Sequence, residues 1–345
     1  MTTDYEKMSS FESLMQAHKA ARRGKRCKTE VILFEMNLSQ SLWQLKRALD
    51  DRTYKISGYY RFKIHDPKER NIDALHYRDR VVQHALCDQI LWPLLENRMI
   101  YDNAASRKGK GTSFAIDRLS CFLREHYKSH GAHGYFLKAD FSRYFMSISH
   151  TVLKTKMRKV LADDEVYGLV CGIIDSFSPG VPLGNQTSQC FGVYYPDSMD
   201  RIIKEDWRAK YYTRYMDDGV IVHHDREFLK DCLAAMRDHA ENVLKLQFNK
   251  KTQIFPISNG VDYLGFHFYL TDTGKVVRKL RRQSKKRFGG KLKEIAAKYY
   301  NNEMDYAAVK SHLAGFRGHL GQGHTYSLKR RLLENTDMLN FIDEI

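Results

Sequence analysis

No stretch of the 345-residue chain approaches the roughly 20 consecutive apolar residues that a membrane-spanning helix needs. The charged N-terminus also lacks the apolar core of a signal peptide. The sequence therefore predicts a cytoplasmic protein with no membrane partner. Cys27, Cys87, Cys121, Cys171, Cys190 and Cys232 include no CxxC spacing, which argues against a thiolate metal site or a disulfide framework and reads as reduced packing thiols. Internal repeats and low-complexity linkers are absent. A phosphate-binding loop is absent as well: GKGTS at residues 109–113 lacks the leading glycine and places Gly111 directly after Lys110. His126, His130 and His133 have helical spacing, but Gly131 and Gly134 should end the helix first, so they read as solvent-facing. His223 and His224, adjacent on a strand, are expected to point to opposite faces.

Acidic residues are in deficit. The chain holds 57 Lys and Arg against 41 Asp and Glu, a formal charge of +16, and a basic balance of that size favours a polyanionic partner. Much of it lies in KVVRKLRRQSKKRFGGKLKEIAAK, residues 275–298, with eleven basic residues and one acidic. A second basic run, RRGKRCK at 22–28, reads either as an RNA contact or as an exposed tail. A hydrophobic content of 43% over this length supports two or three subdomains with their own cores.

The strongest chemical signal is YYTRYMDDGVIV at 211–222. Asp217 and Asp218 sit at a hairpin tip between β-prone runs, with Gly219 available for the turn. Asp-Asp-Gly is also ordinary turn chemistry; its company argues for more. FLKADFSRYFMSI at 136–148 ends a short apolar run on Asp140, and GVPLGNQTSQ at 180–189 is rich in glycine and amides, suited to close backbone approach to a ligand. Paired carboxylates at a rigid turn form a hard oxygen site suited to Mg²⁺.

These segments and others resemble those of the reverse transcriptases, and they fall in the family order. YMDD resembles the catalytic hairpin, ADFSRYF the segment with the other metal-binding aspartate, and PLGNQTSQ the nucleotide-contacting loop and helix. LQFNKKTQIF at 246–255 resembles the lysine-bearing motif, and DYLGFHF at 262–268 the primer grip. PKERNIDALHYRDRVVQHAL from Pro67 and SRKGKGT from Ser106 resemble the fingers motifs of bacterial members. The resemblance implies an α+β right-hand polymerase: an N-terminal extension and fingers over 1–134, a palm of antiparallel sheet backed by helices over 135–272, with helices at 151–178, and a basic helical thumb over 273–345.

Its implied activity is RNA-directed DNA synthesis on template RNA, primer and growing cDNA, with dNTPs as substrate. Two Mg²⁺ ions, or Mn²⁺ in their place, would lie roughly 3.5–4 Å apart on Asp140, Asp217, Asp218 and the Phe141 carbonyl. Lys68, Arg70 and above all Arg107 are expected at the triphosphate. Lys251 is expected at the pyrophosphate. Phe145 is expected as an aromatic gate beneath the sugar, and Leu183, Gly184 and Gln189 in the nucleotide loop. Tyr215, Met216, Leu264, Gly265, Arg281, Arg282, Lys285 and Lys286 are expected along primer and template.

Many family members carry glutamine where this chain has Leu183, and a Ser-Pro pair where it has Ser188 and Gln189. The form PLGNQTSQ is similar to that of diversity-generating retroelement enzymes, and defence-associated reverse transcriptases share the same core. A structured noncoding RNA, an accessory protein and a homo-oligomer are further partners this implies. Two other readings stay open: a template-independent or protein-primed DNA polymerase, and a catalytically silent RNA-binding scaffold.

Apolar spacing predicts helices over 36–50, 79–97, 112–129, 151–177, 187–207 and 226–245. Strands are predicted at 135–140, on both sides of Asp217 and Asp218, at 252–256 and at 261–270, with helix dominating beyond Lys275.

Overall fold

A computed structural model describes residues 2–65 and 69–345. Among the described residues, nine strands form three antiparallel sheets. β1 (Tyr59–Ile64) pairs with β2 (Arg70–Leu75). β3 (Tyr135–Asp140), β4 (Tyr211–Tyr215), β5 (Asp218–His223) and β6 (Gln253–Pro256) assemble in the order β4-β5-β3-β6. β7 (Val261–Tyr263), β8 (Phe266–Leu270) and β9 (Val276–Leu280) make the third sheet.

The central sheet is covered on both faces, and its alternation shows how. Leu137, Ala139, Tyr212 and Ile221 face a core built with the N-terminal helices and with helices His150–Arg158 and Gln186–Tyr194. Phe136, Tyr211, Val220 and Val222 face a second core, filled by helix Thr112–His130, the third sheet and the C-terminal helices. A sheet buried on both sides needs apolar residues at every position, which is why FL and VIV read as continuous apolar runs.

The α+β architecture and most elements match the sequence expectations, and β3 coincides with residues 135–140. The differences have local causes. The expected helix 151–177 is two helices, because Asp163 accepts from the backbone N–H groups of Glu165 and Val166 and starts a new one at Asp164. The expected strand 261–270 is a hairpin, turned by Leu264 at φ +46° and Gly265 at φ +90°, the pair of positive angles a tight turn between twisted strands requires. β9 lies beyond Lys275, where helix was expected, so the third sheet straddles the boundary placed at residue 272. Helix resumes at Arg282. β1 and β2 had no counterpart among the sequence-predicted strands.

The N-terminal helices are part of the body. Asp163 also accepts from the Tyr5 N–H at 3.1 Å, and Arg52 pairs with Glu165 at 2.5 Å. The basic run 22–28 lies on the surface between helices Phe11–Ala21 and Thr29–Met36.

Gly180 ties the amide-rich loop to the segment after Asp140. At φ +69°, a Cβ there would lie 2.2 Å from the Phe145 carbonyl oxygen, and the neighbouring Val181 N–H donates to that same oxygen at 2.9 Å. Gly180→Ala is expected to destabilise the protein by roughly 1–3 kcal/mol in urea unfolding. Gly172→Ala, on helix Asp164–Asp175 where an added Cβ meets nothing within 4 Å, should be neutral or slightly stabilising.

Candidate active site

β3 and β5 run antiparallel with Asp140 directly opposite Asp218 and Lys138 opposite Val220. The pleat therefore puts Lys138, Asp140 and Asp218 on one face. Asp217 sits with Met216 in a two-residue turn between β4 and β5. The positive angle falls on Met216, at φ +55°. Gly219, available for the turn by sequence, lies inside β5 instead, where the Tyr212 ring would be in ordinary contact with a Cβ at 3.4 Å.

A non-glycine residue at positive φ needs support, and the support is Arg214. Its guanidinium is fully buried and donates to Asp200 through Nε at 2.8 Å and Nη2 at 2.6 Å. Nη1 donates to the Met216 carbonyl at 2.6 Å, and Nη2 also reaches the Val193 carbonyl at 2.9 Å. Tyr212 donates its hydroxyl to Asp200 at 2.7 Å. The turn is thus fastened from beneath to helices Gln186–Tyr194 and Asp197–Arg201.

The three carboxylates repel one another. Burial, then the neighbouring Asp140 carboxylate, pushes the Asp217 carboxyl up to about 6. Burial raises Asp218 to about 7, opposed by Lys138 at 3.4 Å and reinforced by Asp140 and Asp217. Asp218 Oδ1 is buried with no hydrogen-bond partner. Among the described residues no three His, Cys, Asp or Glu side chains close into a ready metal cage; Asp218 leans to Lys138. The donor set nevertheless fits a hard divalent cation, since an unpartnered buried oxygen and unrelieved negative charge are what such an ion satisfies.

The other expected residues divide. Phe145 is half-buried with its ring against Gly192, where a Cβ would lie 3.1 Å from it. Phe141 is buried and stacks on Tyr144 and Phe248. Gly184 is exposed at φ +106° beside Ile72 of β2, Leu183 is half-buried, and Gln189 accepts from the Ser106 hydroxyl at 3.3 Å. Tyr215 is half-buried and Met216 is buried beside the turn. Arg70 and Lys251 are exposed, as are Arg282 and Lys286; Lys285 is half-exposed. Arg281 pairs with Asp262 at 2.9 Å, and Gly265 of the β7–β8 turn lies against the His319 ring. Lys68 lies outside the described residues.

Arg107 departs from expectation. It is 8% exposed, and its guanidinium meets Glu96 at 2.7 Å and the Ile100 and Asn103 carbonyls at 2.7 and 2.9 Å. Its donors hold the 96–107 segment together, so it offers no free fork to a triphosphate. The histidines depart too. His126 is buried and bonds the His133 carbonyl at 2.6 Å. The His223 and His224 rings lie 4.4 Å apart, with His130 stacked on His224 at 4.2 Å, because β5 ends at His223 and the pleat no longer separates them.

Sequence reasoning missed Arg214, Asp200, Lys138 and Asn249. Only Lys138 carried a signal, its even spacing from Asp140.

A family model described as reverse transcriptase (RNA-dependent DNA polymerase) matches residues 63–268. No curated protein matches the chain in sequence. Among solved structures, telomerase from Candida albicans in complex with a TWJ fragment of telomeric RNA is similar at 12% identity and TM-score 0.50, covering 89% of this chain and 64% of that one. Apo telomerase from Candida tropicalis is similar at 13% identity and TM-score 0.50, covering 84% and 63%. The chain thus spans under two thirds of the length of either telomerase, and at these identities the likeness is one of fold.

Both aspartate shifts are upward, so folding takes up protons here. Without a divalent cation, the stability these groups contribute is complete below about 3.8 and is lost as pH rises through about 6 to 7. In EDTA, wild type should be less stable than an Asp217→Asn/Asp218→Asn variant at pH 8, and thermal unfolding should show the gap closing toward pH 5. Added Mg²⁺ should restore wild type at pH 8 and leave the variant unmoved.

Proposed function

This chain belongs to the reverse transcriptase family, RNA-directed DNA polymerases and hence nucleotidyltransferases, and on that premise we propose that Asp140, Asp217 and Asp218 form its polymerising centre. The observation that carries the proposal is the strand register: β3 brings Asp140 directly opposite Asp218, next to Asp217 on the hairpin turn, from a separate segment of the chain. The fold is the right-hand polymerase type, with mixed helices and antiparallel sheets.

Asp140 and Asp217 would be the principal holders of two Mg²⁺ ions, with Asp218 and the Phe141 carbonyl beside them. Bound there, such ions neutralise charge on the entering and leaving oxygens of an in-line displacement. The chain's own part is placement. The rigid Met216-Asp217 turn holds one carboxylate, and β3 holds the other. Lys138 keeps Asp218 from adding a third uncompensated charge. Phe145, braced on Gly192, would serve as the aromatic gate against a ribose 2′ hydroxyl. Lys251 and Arg70, both exposed, serve triphosphate and pyrophosphate. Arg281, Arg282, Lys285 and Lys286, at the start of helix Arg282–Tyr300, face the backbone of template RNA and primer, whose binding releases counterions.

Asp140→Asn and Asp217→Asn are each expected to lower dNTP incorporation on an RNA template with a DNA primer by on the order of 10³-fold or more, with nucleic-acid affinity retained. Undiminished incorporation in these variants would overturn the assignment of the carboxylates, whereas a wild type that binds RNA and incorporates nothing would favour a silent RNA-binding scaffold.

The proposed setting is a bacterial diversity-generating or antiviral retroelement copying a noncoding RNA into cDNA. PLGNQTSQ supports it: Leu183 is apolar and makes no hydrogen bond that would test the incoming nucleotide. Sequencing the nucleic acid that copurifies with the protein should return one structured RNA and its cDNA; a mixture of unrelated transcripts would count against this setting.

A further inference from the structure

Asp140 is gripped from a side that the hairpin does not supply. Residues 247–252 close over residues 140–142 like a clasp. The Ser142 N–H donates to the Gln247 carbonyl at 2.8 Å, and the Phe141 and Phe248 rings stack at 4.7 Å. The Asn249 N–H donates to the Asp140 carbonyl at 2.8 Å. The Thr252 hydroxyl accepts from the Asp140 N–H at 3.2 Å and lies 3.3 Å from its carbonyl. At the centre is the Asn249 side chain, whose Nδ2 donates to Asp140 Oδ2 while its Oδ1 accepts from the Lys251 N–H at 2.7 Å.

An amide suits this position for an electrostatic reason. Asp140 already faces Asp217 and Asp218, so a third anion would be repelled, while a lysine or arginine would pair with Asp140 and compete with a cation. A neutral N–H donor fixes the orientation of the carboxylate and leaves its charge in place. The same side chain ties Asp140 to a loop whose next residues, Lys250 and Lys251, line a cavity of about 640 Å³ with Lys138 and Arg281. Orientation of the carboxylate and position of the lysine loop are therefore one mechanical unit.

We propose that Asn249 is the positioning residue of Asp140, setting the carboxylate for divalent-cation binding and coupling it to the Lys250–Lys251 loop. This rests on the reading of Asp140 as a cation ligand. The rival is a purely structural role, in which Asn249 does no more than close its own turn.

Mn²⁺ binding to the full chain without nucleic acid, followed by the EPR signal of the free ion, separates the two. Asn249→Ala should weaken Mn²⁺ binding about 10- to 100-fold. The Mg²⁺ concentration for half-maximal polymerisation should rise in parallel, with much of kcat recovered at saturating Mg²⁺. Asn249→Ser keeps an oxygen for the Lys251 N–H but is too short to reach Asp140; it should weaken Mn²⁺ binding similarly with little change in Tm, and it covers the case of an alanine variant that does not fold. A fall in Tm or kcat with unchanged Mn²⁺ affinity in the folded variants would overturn the proposal and leave Asn249 a structural residue. Asp140→Asn serves as control. If it leaves Mn²⁺ binding and polymerisation intact, the reading of the site itself fails; if it abolishes both while the Asn249 variants bind Mn²⁺ normally, only the Asn249 inference falls.

Discussion

A buried guanidinium holds the carboxylate turn in place, and the rest of the site depends on it. Arg214 is taken wholly out of water, an arrangement that is tolerable only because two backbone carbonyls and Asp200, itself held by the Tyr212 hydroxyl, satisfy it from several directions. One of those carbonyls belongs to Met216, the residue bent into the left-handed region to place Asp217. Losing either charge of the pair would strand the other in the core, a change that typically costs about 3–5 kcal/mol. The pair is best understood as a geometric device. It makes the turn an extension of two helices rather than a free loop tip.

Above that base the site is under electrostatic tension. Asp140, Asp217 and Asp218 converge, and the protein answers each differently. Asp217 is left against the Asp140 charge, Asp218 has Lys138, and Asp140 is steadied by the neutral amide of Asn249. Asp217 and Asp218 are not fully relieved, since burial and the neighbouring carboxylates hold both above the usual carboxylate range, and on the proposed reading a bound cation would relieve them. Lys138 is a weak stand-in at 3.4 Å, close enough to restrain Asp218 and poor enough as a partner to yield it.

The basic and aromatic residues show a second division of labour. Arg107 and Arg214 have given their charge to the fold, while Arg70, Lys251, Arg282 and Lys286 keep theirs at the surface. A sequence does not mark this difference, because an arginine that braces a loop and one that grips a phosphate use the same fork. Glu96, eleven residues before Arg107, is what draws it inward.

Local pattern alone was enough to read the aspartate hairpin, the strand ending at Asp140, most helices and the α+β class, because period-two and period-3.6 apolar spacing and turn chemistry act between near neighbours. Ordered motifs added the family and the choice of Asp140, Asp217 and Asp218. What local pattern could not hold was any relation across the chain. It put Asp217 and Asp218 at the tip with Gly219 available for the turn, although the turn falls on Met216 and Asp217 and Arg214 supports it at Met216. It gave the loop at 246–255 to Lys251 although Asn249 is the residue that reaches Asp140, and it separated histidines that end up stacked. Those outcomes depend on which distant group arrives at hydrogen-bonding distance once the sheet is sandwiched between two cores, and only the tertiary structure decides that.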